Sequence, residues 1–149
     1  MYHFEKSVLI DCSVEKAFLF HTDTNNLKKI SPSSVTVDIR KIELPMKIDS
    51  EVELVITQFG IFKSRWKVKI AKYITNEVVG DLMLKGPFKS WYHEHRFKEE
   101  HGKIIMTDYI DYELPLGLLG NIANRLFVKK IITNMFEFRH KRTKEVLEN

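Results

Sequence analysis

The sequence predicts an α+β fold in which a curved antiparallel sheet of about seven strands wraps a long C-terminal helix. Three observations support this prediction. Runs with strand-like alternation follow one another from Ser34 to Leu114, with turn residues between them. Two short helix-like segments follow a first strand. After Pro115, a stretch nearly free of glycine and proline carries apolar residues at helical spacing.

The first elements are a strand over residues 2–10 and two short helices. Ser13 is a suitable N-cap for a helix over VEKAFLFH, because its hydroxyl can accept a free backbone N–H and Glu15 favours the helix dipole. A second short helix is expected to run through Ile30 and to end before Pro32.

Six strand-like segments come next, each bounded by ordinary turn residues. They are SVTVDIRKIEL, EVELVITQFG, IFKSRWKVKIAKY, EVVGDLMLKG, SWYHEHRFKE and KIIMTDYIDYEL. The final helix is expected from Leu118 to about Leu147. Its second half, RHKRTKEVLEN, is basic and polar, which predicts a tail reaching into water. A straight helix cannot match a curved sheet everywhere, so a cavity is expected between them.

Length and composition indicate a single domain over residues 1–149. With 44% hydrophobic and 30% charged residues, the composition is globular. The single Cys12 cannot form an internal disulfide, and no signal peptide or membrane span is evident, so we expect a cytoplasmic protein. The net charge of +4 is spread along alternating strands such as KSRWKVKIAK, so no nucleic-acid partner is predicted.

The segment GPFKSWYHEHRF contains a His-x-His pair whose imidazoles share one face of a strand. If His101-Gly102 forms a two-residue turn, the register of the hairpin follows. One face then carries the pairs Phe97–Met106, His95–Asp108, His93–Ile110 and Trp91–Tyr112. This aromatic face should lie inside, and the opposite face, with Glu94 and Arg96, should lie in water. His95 and Asp108 could orient a ligand, pair structurally or act as a general base.

A metal site is the other alternative for this face. His-x-His followed by Glu99 resembles the first metal motif of cupins, and Pro115-x-Gly117 with Asn124 echoes the second. However, Gly120 stands where a third histidine would be needed, and the long helix contradicts a jelly roll. Two histidines with one distant carboxylate make a weak site, so no metal is predicted.

Aromatic residues elsewhere indicate a pocket or a core. Trp66 shares a strand face with Phe62, Ser64, Val68 and Ile70, which fits either pocket lining or plain packing. Three phenylalanines surround the last helix too broadly for one buried stripe, so burial competes with a homodimer contact or a transient membrane contact. They are Phe127, Phe136 and Phe138.

The element order and several stretches resemble the START-like, or SRPBCC, ligand-binding superfamily, which includes polyketide cyclases and lipid-transport proteins. The matching stretches are SVEKAFLFHTDTNNLKKISP, KSRWKV, GPFKSWYHEHRF, TDYIDYELPLGLLG and FEFRHKR. The resemblance covers the whole chain and is most specific from Gly86 to Gly120. Within the superfamily, the sequence most resembles small bacterial members that are uncharacterised or described as cell-division-inhibitor-like. It implies a helix-grip fold and a cavity for an apolar or aromatic molecule, but no particular reaction.

These observations favour a carrier or binding protein for a lipid, isoprenoid quinone or aromatic compound, without a cofactor. The expected ligand-binding residues are Trp66, Trp91, His93, His95, Asp108, Ile110 and Tyr112. The alternative is a cyclase or dehydratase-type enzyme with His95–Asp108 as base and Tyr112 or His93 as polarising donor. A third alternative is an interaction module with a vestigial cavity.

Overall fold

A computed structural model describes all 149 residues and contains one seven-stranded antiparallel sheet. The strands are β1 (Tyr2–Ile10), β2 (Val35–Ile42), β3 (Glu51–Gln58), β4 (Phe62–Ile74), β5 (Val78–Lys85), β6 (Ser90–Glu100) and β7 (Lys103–Glu113). Their order in the sheet is β1-β7-β6-β5-β4-β3-β2, so β2 to β7 form a meander and β1 joins its far end. The predicted α+β class and strand number are confirmed.

The helices also lie where the sequence predicts them. Helix α1 (Val14–His21) begins at Ser13, whose Oγ accepts the Lys16 backbone N–H at 3.2 Å. A 3₁₀ helix (Thr24–Ile30) follows. The C-terminal helix is continuous for 32 residues, as α2 (Gly117–Ala123), a π-helical segment (Asn124–Val128) and α3 (Lys129–Glu148).

The β6–β7 hairpin has the register that its turn predicts. His101 and Gly102 both adopt positive φ values, 53° and 76°, as a two-residue turn of the primed type requires. His95 therefore pairs with Asp108 and His93 with Ile110, because each further pair follows from the turn. This register sends the side chains of both histidines toward the helix side of the sheet.

Helix α3 packs on the sheet along most of its length. Ile132 and Phe136 join a cluster with Ile110 and Tyr112, and Leu147 joins the main core around Phe18. The prediction that the second half of this helix reaches into water is wrong, because His140, Thr143 and Leu147 are all buried. Its polar residues lie on the inner face as well as the outer one. That arrangement places polar groups inside the fold.

The outer face of the hairpin also departs from the prediction. Glu94 is 3% exposed, although its face was expected in water. Its carboxylate accepts hydrogen bonds from Tyr92 Oη at 2.5 Å, Lys72 Nζ at 3.1 Å and Arg96 Nε at 2.6 Å. Burial favours a neutral Glu94, but these three donors outweigh it and lower the pKa of the carboxyl. Neighbouring side chains thus cover a charge on the convex side of the sheet.

The three phenylalanines of the C-terminal helix have different environments. Phe136 is 3% exposed, Phe138 is 37% exposed and Phe127 is 62% exposed. Of the three phenylalanines, only Phe136 is therefore explained by burial in the core. None of the helices is both long and apolar enough to cross a membrane.

Candidate functional site

A cavity of about 260 Å³ lies between the sheet and the helices. Of the 32 residues that line it, 20 are hydrophobic. Strands β3 and β4 supply six of these hydrophobic residues, strands β5 to β7 supply two aspartates and two histidines, and α3 closes the opposite side. A concave, mostly apolar site with a few grouped polar residues is the usual form of a small-molecule site.

Aromatic rings form part of the wall. Trp66 and Trp91 meet edge to face at 5.5 Å between ring centroids, and Phe88 lies 4.8 Å from Trp91. Trp66 Nε1 donates to Ser64 Oγ at 3.1 Å, so the indole N–H is satisfied without a ligand. This part of the cavity offers ring faces and edges to an apolar guest.

The polar part of the cavity centres on Asp108, which is 2% exposed. His93 Nε2 donates to Oδ1 of this carboxylate at 2.7 Å, and His140 Nε2 lies 2.5 Å from Oδ2. On the far side of its ring, His93 Nδ1 lies 3.5 Å from Asp81 Oδ2. One buried carboxylate therefore holds histidines from both the sheet and the helix.

His95 approaches the same carboxylate differently. Its Nδ1 lies 2.6 Å from Asp108 Oδ1, within hydrogen-bond reach as the register predicts. The direction of approach does not satisfy hydrogen-bond geometry, so this nitrogen has no aligned partner. The ring of His95 also contacts His21 at 4.7 Å, and His21 Nδ1 donates to the Ala17 carbonyl at 2.8 Å.

The surroundings give these groups different protonation states. Burial favours neutral His93, but its hydrogen bonds to Asp108 and Asp81 outweigh burial and raise its pKa to about 9. Burial lowers the pKa of His95, and burial with repulsion from His95 lowers that of His21 to about 3. The three histidines near Asp108 hold its pKa well below the usual range despite burial. Near pH 7 the centre is an Asp108⁻–His93⁺ pair flanked by the neutral imidazoles of His95 and His21.

Helix α3 contributes two further polar groups to the cavity wall. Arg139 and Thr143 are four residues apart and therefore lie on one face of the helix. Arg139 Nε and Thr143 Oγ1 are both enclosed and have no hydrogen-bond partner in the protein. Burial lowers the pKa of the Arg139 guanidinium.

The same centre has atoms that could hold a metal ion. Single ligand atoms of His93, His95 and Asp108 lie within 4.8 Å of one another. Asp108 lies beside both histidines, and α3 adds His140. Hydrogen bonds from His93 and His140 nevertheless account for the contacts of both carboxylate oxygens without an ion.

The cavity contains five of the seven residues that the sequence predicted for ligand binding. They are Trp66, Trp91, His93, His95 and Asp108. Ile110 and Tyr112 do not line it. Ile110 is fully buried in the core, and Tyr112 donates its hydroxyl to Asn124 Oδ1 at 2.7 Å. Of the expected β4 face, Val68 and Ile70 line the cavity, whereas Phe62 is 67% exposed.

Sequence reasoning missed the residues that other elements bring to this centre. These are His21, Asp81, Arg139, His140 and Thr143. His21 closes α1, and Asp81 lies opposite His93 in the β5–β6 register. The β5–β6 pairing could have identified Asp81. For the α3 residues the only signal was a set of polar side chains, Arg139, His140 and Thr143, at spacings of three and four on a helix expected to cover the sheet.

Comparison with solved structures identifies the architecture. A START superfamily protein from Mycobacterium smegmatis superposes with a TM-score of 0.73 at 16% identity, covering 98% of this chain and 97% of that one. The ginseng (Panax ginseng) major latex-like protein 151 gives 0.74 at 15%, covering 99% and 98%. The chain has the START-like fold. The resemblance predicted from sequence is confirmed at this level.

A third START-like structure belongs to a named biosynthetic pathway. The di-domain aromatase/cyclase StfQ of the steffimycin pathway gives a TM-score of 0.77 at 10% identity. This chain is covered over 98% of its length and matches 50% of StfQ. No protein-family model matches the sequence, and no curated protein matches it. At these identities the comparisons establish the fold alone.

Proposed function

We propose that this protein binds an apolar small molecule in the cavity between the sheet and α3. The observation that supports this most directly is the cavity itself, about 260 Å³ and lined mainly by hydrophobic residues around a compact polar centre. A core that served only stability would gain by filling such a space, because voids forfeit dispersion contacts. The role is that of a carrier or receptor for a lipid, isoprenoid quinone or aromatic compound.

The charges of the polar centre are largely balanced within the protein, which suits a binding role. Asp108 is paired with His93, and His140 occupies its second oxygen. Such a pair needs no ligand to be stable, so it can orient a hydroxyl or carbonyl group at modest cost. Native mass spectrometry of the protein purified from its own host tests the proposal, and a retained small molecule is the expected result.

A second candidate function is acid–base catalysis in the same cavity. The unaligned contact of His95 with Asp108 favours it, because a neutral imidazole beside a carboxylate can accept a proton from a substrate. Tyr112 is unavailable as the polarising donor in this arrangement, since its hydroxyl is committed to Asn124. His93, which is protonated near neutral pH, remains for that role.

Val68→Trp is expected to abolish binding of an apolar fluorescent probe. Val68 lines the cavity on β4 between Trp66 and Ile70, so an indole there occupies guest volume. The wild type should bind one probe per chain and show quenched tryptophan emission. Fluorescence titration measures this, and thermal unfolding confirms that the variant folds.

Val55→Trp is the matched control for this substitution. Val55 lies on β3, half-buried, on the face opposite to Val52 and Leu54, and it does not line the cavity. Probe binding should survive this change. Equal loss of binding in both variants, or no saturable binding by the wild type, would favour a filled core over a pocket.

His95→Asn separates a carrier from an enzyme. In a carrier the change should alter affinity for the co-purified ligand by about 0.5–1.5 kcal/mol, the net value of one hydrogen bond. In an enzyme it should reduce turnover by about 10²-fold or more while leaving ground-state binding nearly intact. Calorimetry and product analysis distinguish the two, with exposed His3→Asn as control. A product formed by the wild type but not by His95→Asn would contradict the carrier role.

A further inference from the structure

Arg139 is a cavity-lining cation that makes no direct contact with an anion of the protein. It lines the cavity from α3, and its side chain forms no ion pair or hydrogen bond. Its Nε is enclosed, and its guanidinium carbon lies 5.3 Å from the centroid of the Phe136 ring. An enclosed guanidinium N–H without an acceptor is costly, so its retention calls for an acceptor from outside the protein.

Thr143 provides a second, independent unpaired donor at the same place. It is 1% exposed, lines the cavity and lies one helical turn beyond Arg139. Its Oγ1 has no partner, although a buried helical threonine commonly bonds to a backbone carbonyl of the preceding turn. Nδ1 of His140, between them in sequence, is also unpaired. One turn of α3 thus presents several unused polar atoms to the cavity.

We propose that the ligand of this cavity is an apolar carboxylic acid whose carboxylate is bound by the Arg139 guanidinium and the Thr143 hydroxyl. This inference rests on the proposed function and names the class of its ligand. The planar guanidinium matches a carboxylate through two parallel N–H···O bonds, and the Thr143 hydroxyl donates to the same group.

The balance of charge favours a single negative charge over a phosphate group. His93 carries the other positive charge in the cavity, and Asp108 and Asp81 already flank it. With Arg139, the two cations already balance these two aspartates, so the cavity has little positive charge to spare. A dianionic phosphate would add two negative charges near both aspartates, whereas a carboxylate adds only one, next to the unpaired guanidinium.

The size of the cavity limits the rest of the ligand. About 260 Å³ lies just below the usual range of roughly 300–1,000 Å³ for small-molecule sites. A compact ring system or a medium-length chain fits this space better than a two-chain lipid. Such a tail would lie against the wall formed by β3 and β4, including Leu54, Trp66 and Val68.

Calorimetric titration with two matched probes tests the proposal on the intact protein. The probes are 2-naphthoate and 2-naphthylmethanol, which share a ring system and differ in the anionic group. The wild type should bind the acid about tenfold or more tightly than the alcohol, as a charge-assisted pair requires. If the alcohol binds as well as the acid, this inference fails and the cavity function stands. If neither binds, both fail.

Three substitutions assign the effect to the named groups. Arg139→Met should lower affinity for the acid about tenfold and change affinity for the alcohol by less than about twofold. Thr143→Val, which removes only the hydroxyl, should produce a smaller loss confined to the acid. Arg142→Met is the matched control, because Arg142 pairs with Glu145 outside the cavity and should affect neither probe.

Thermal stability gives a readout that does not depend on any ligand. Removing an enclosed N–H that has no acceptor should raise the melting temperature of Arg139→Met in free protein by about 2–4 °C. Excess 2-naphthoate should then stabilise the wild type more than the variant. A lower melting temperature in Arg139→Met, with acid affinity unchanged, would show that Arg139 is a structural group and overturn the proposal.

Discussion

Replacing Asp108 by asparagine is expected to destabilise the fold by about 3–5 kcal/mol, the cost of removing one partner from a buried charge pair. Asp108 is 2% exposed and is the acceptor around which His93, His95 and His140 gather. Asparagine preserves size but removes the charge and puts a donor where one histidine N–H now points. His93 would then be forced toward its neutral form. Urea denaturation at pH 7 measures the loss.

Asp111→Asn is the control for this change, because Asp111 is on the same strand and also contacts a histidine. His3 Nδ1 lies 2.8 Å from its carboxylate, but the two side chains are 48% and 29% exposed. Water already solvates this pair, so the expected loss is below about 1 kcal/mol. If the two variants lose similar stability, Asp108 is not the electrostatic centre of the cavity.

The fold and the part of the polar centre that lies on the β6–β7 hairpin could be predicted from sequence, because both depend on turn type and strand alternation. A turn of two residues at His101-Gly102 determines the register of an entire hairpin, and alternation then decides which face each side chain takes. Trp91 and Phe97 identify the inner face by their hydrophobicity. The contact between His95 and Asp108 follows from these two facts without any knowledge of the remaining fold.

The rest of the polar centre depends on how separate elements pack, which no local pattern determines. The rotation of α3 about its axis decides whether Arg139 and His140 lie in water or in the cavity. Its apolar residues surround the helix too broadly to define that rotation. The same holds for His21, whose place at the end of α1 follows from packing against Phe97 and His95. Basic residues near a helix C-terminus usually indicate solvent, and here that indication was misleading.

Glu94 shows a related limit of predicting burial from the alternation of side chains along a strand. The pattern correctly assigned it to the outer face of the sheet, but an outer face need not be exposed. Gly80 on the neighbouring strand has no side chain, and a Cβ there would lie 3.2 Å from Glu94 Cγ and 3.0 Å from Tyr92 Oη. The Glu94 side chain therefore lies over Gly80, and Lys72, Tyr92 and Arg96 cover its carboxylate. Burial of a charge by neighbouring long side chains is not visible in a strand's own sequence.

Acidification from pH 6.5 to 4.5 is expected to destabilise the protein, in part because His21 is neutral in the fold. Burial, with repulsion from His95, lowers the His21 pKa to about 3, whereas an unfolded histidine titrates near 6.5. A lowered histidine pKa means that the unfolded chain takes up the proton first. The contribution of neutral His21 to the stability of the fold is therefore complete above about pH 6.5 and is lost as the pH falls toward 3.

His21→Phe should remove about 2 kcal/mol of this acid-induced loss over those two pH units. Phenylalanine keeps a ring beside Phe97, but the hydrogen bond to the Ala17 carbonyl is lost. Because that loss changes stability at every pH, the readout is the slope of unfolding free energy with pH and not the absolute stability. Asp108 stays ionised and His93 stays protonated across this range, so both contribute equally to the two proteins. Urea denaturation at several pH values gives the slopes, with His101→Asn in the exposed turn as the control that should match the wild type. An unchanged slope in His21→Phe would mean that His21 takes up its proton as readily in the fold as in the unfolded chain.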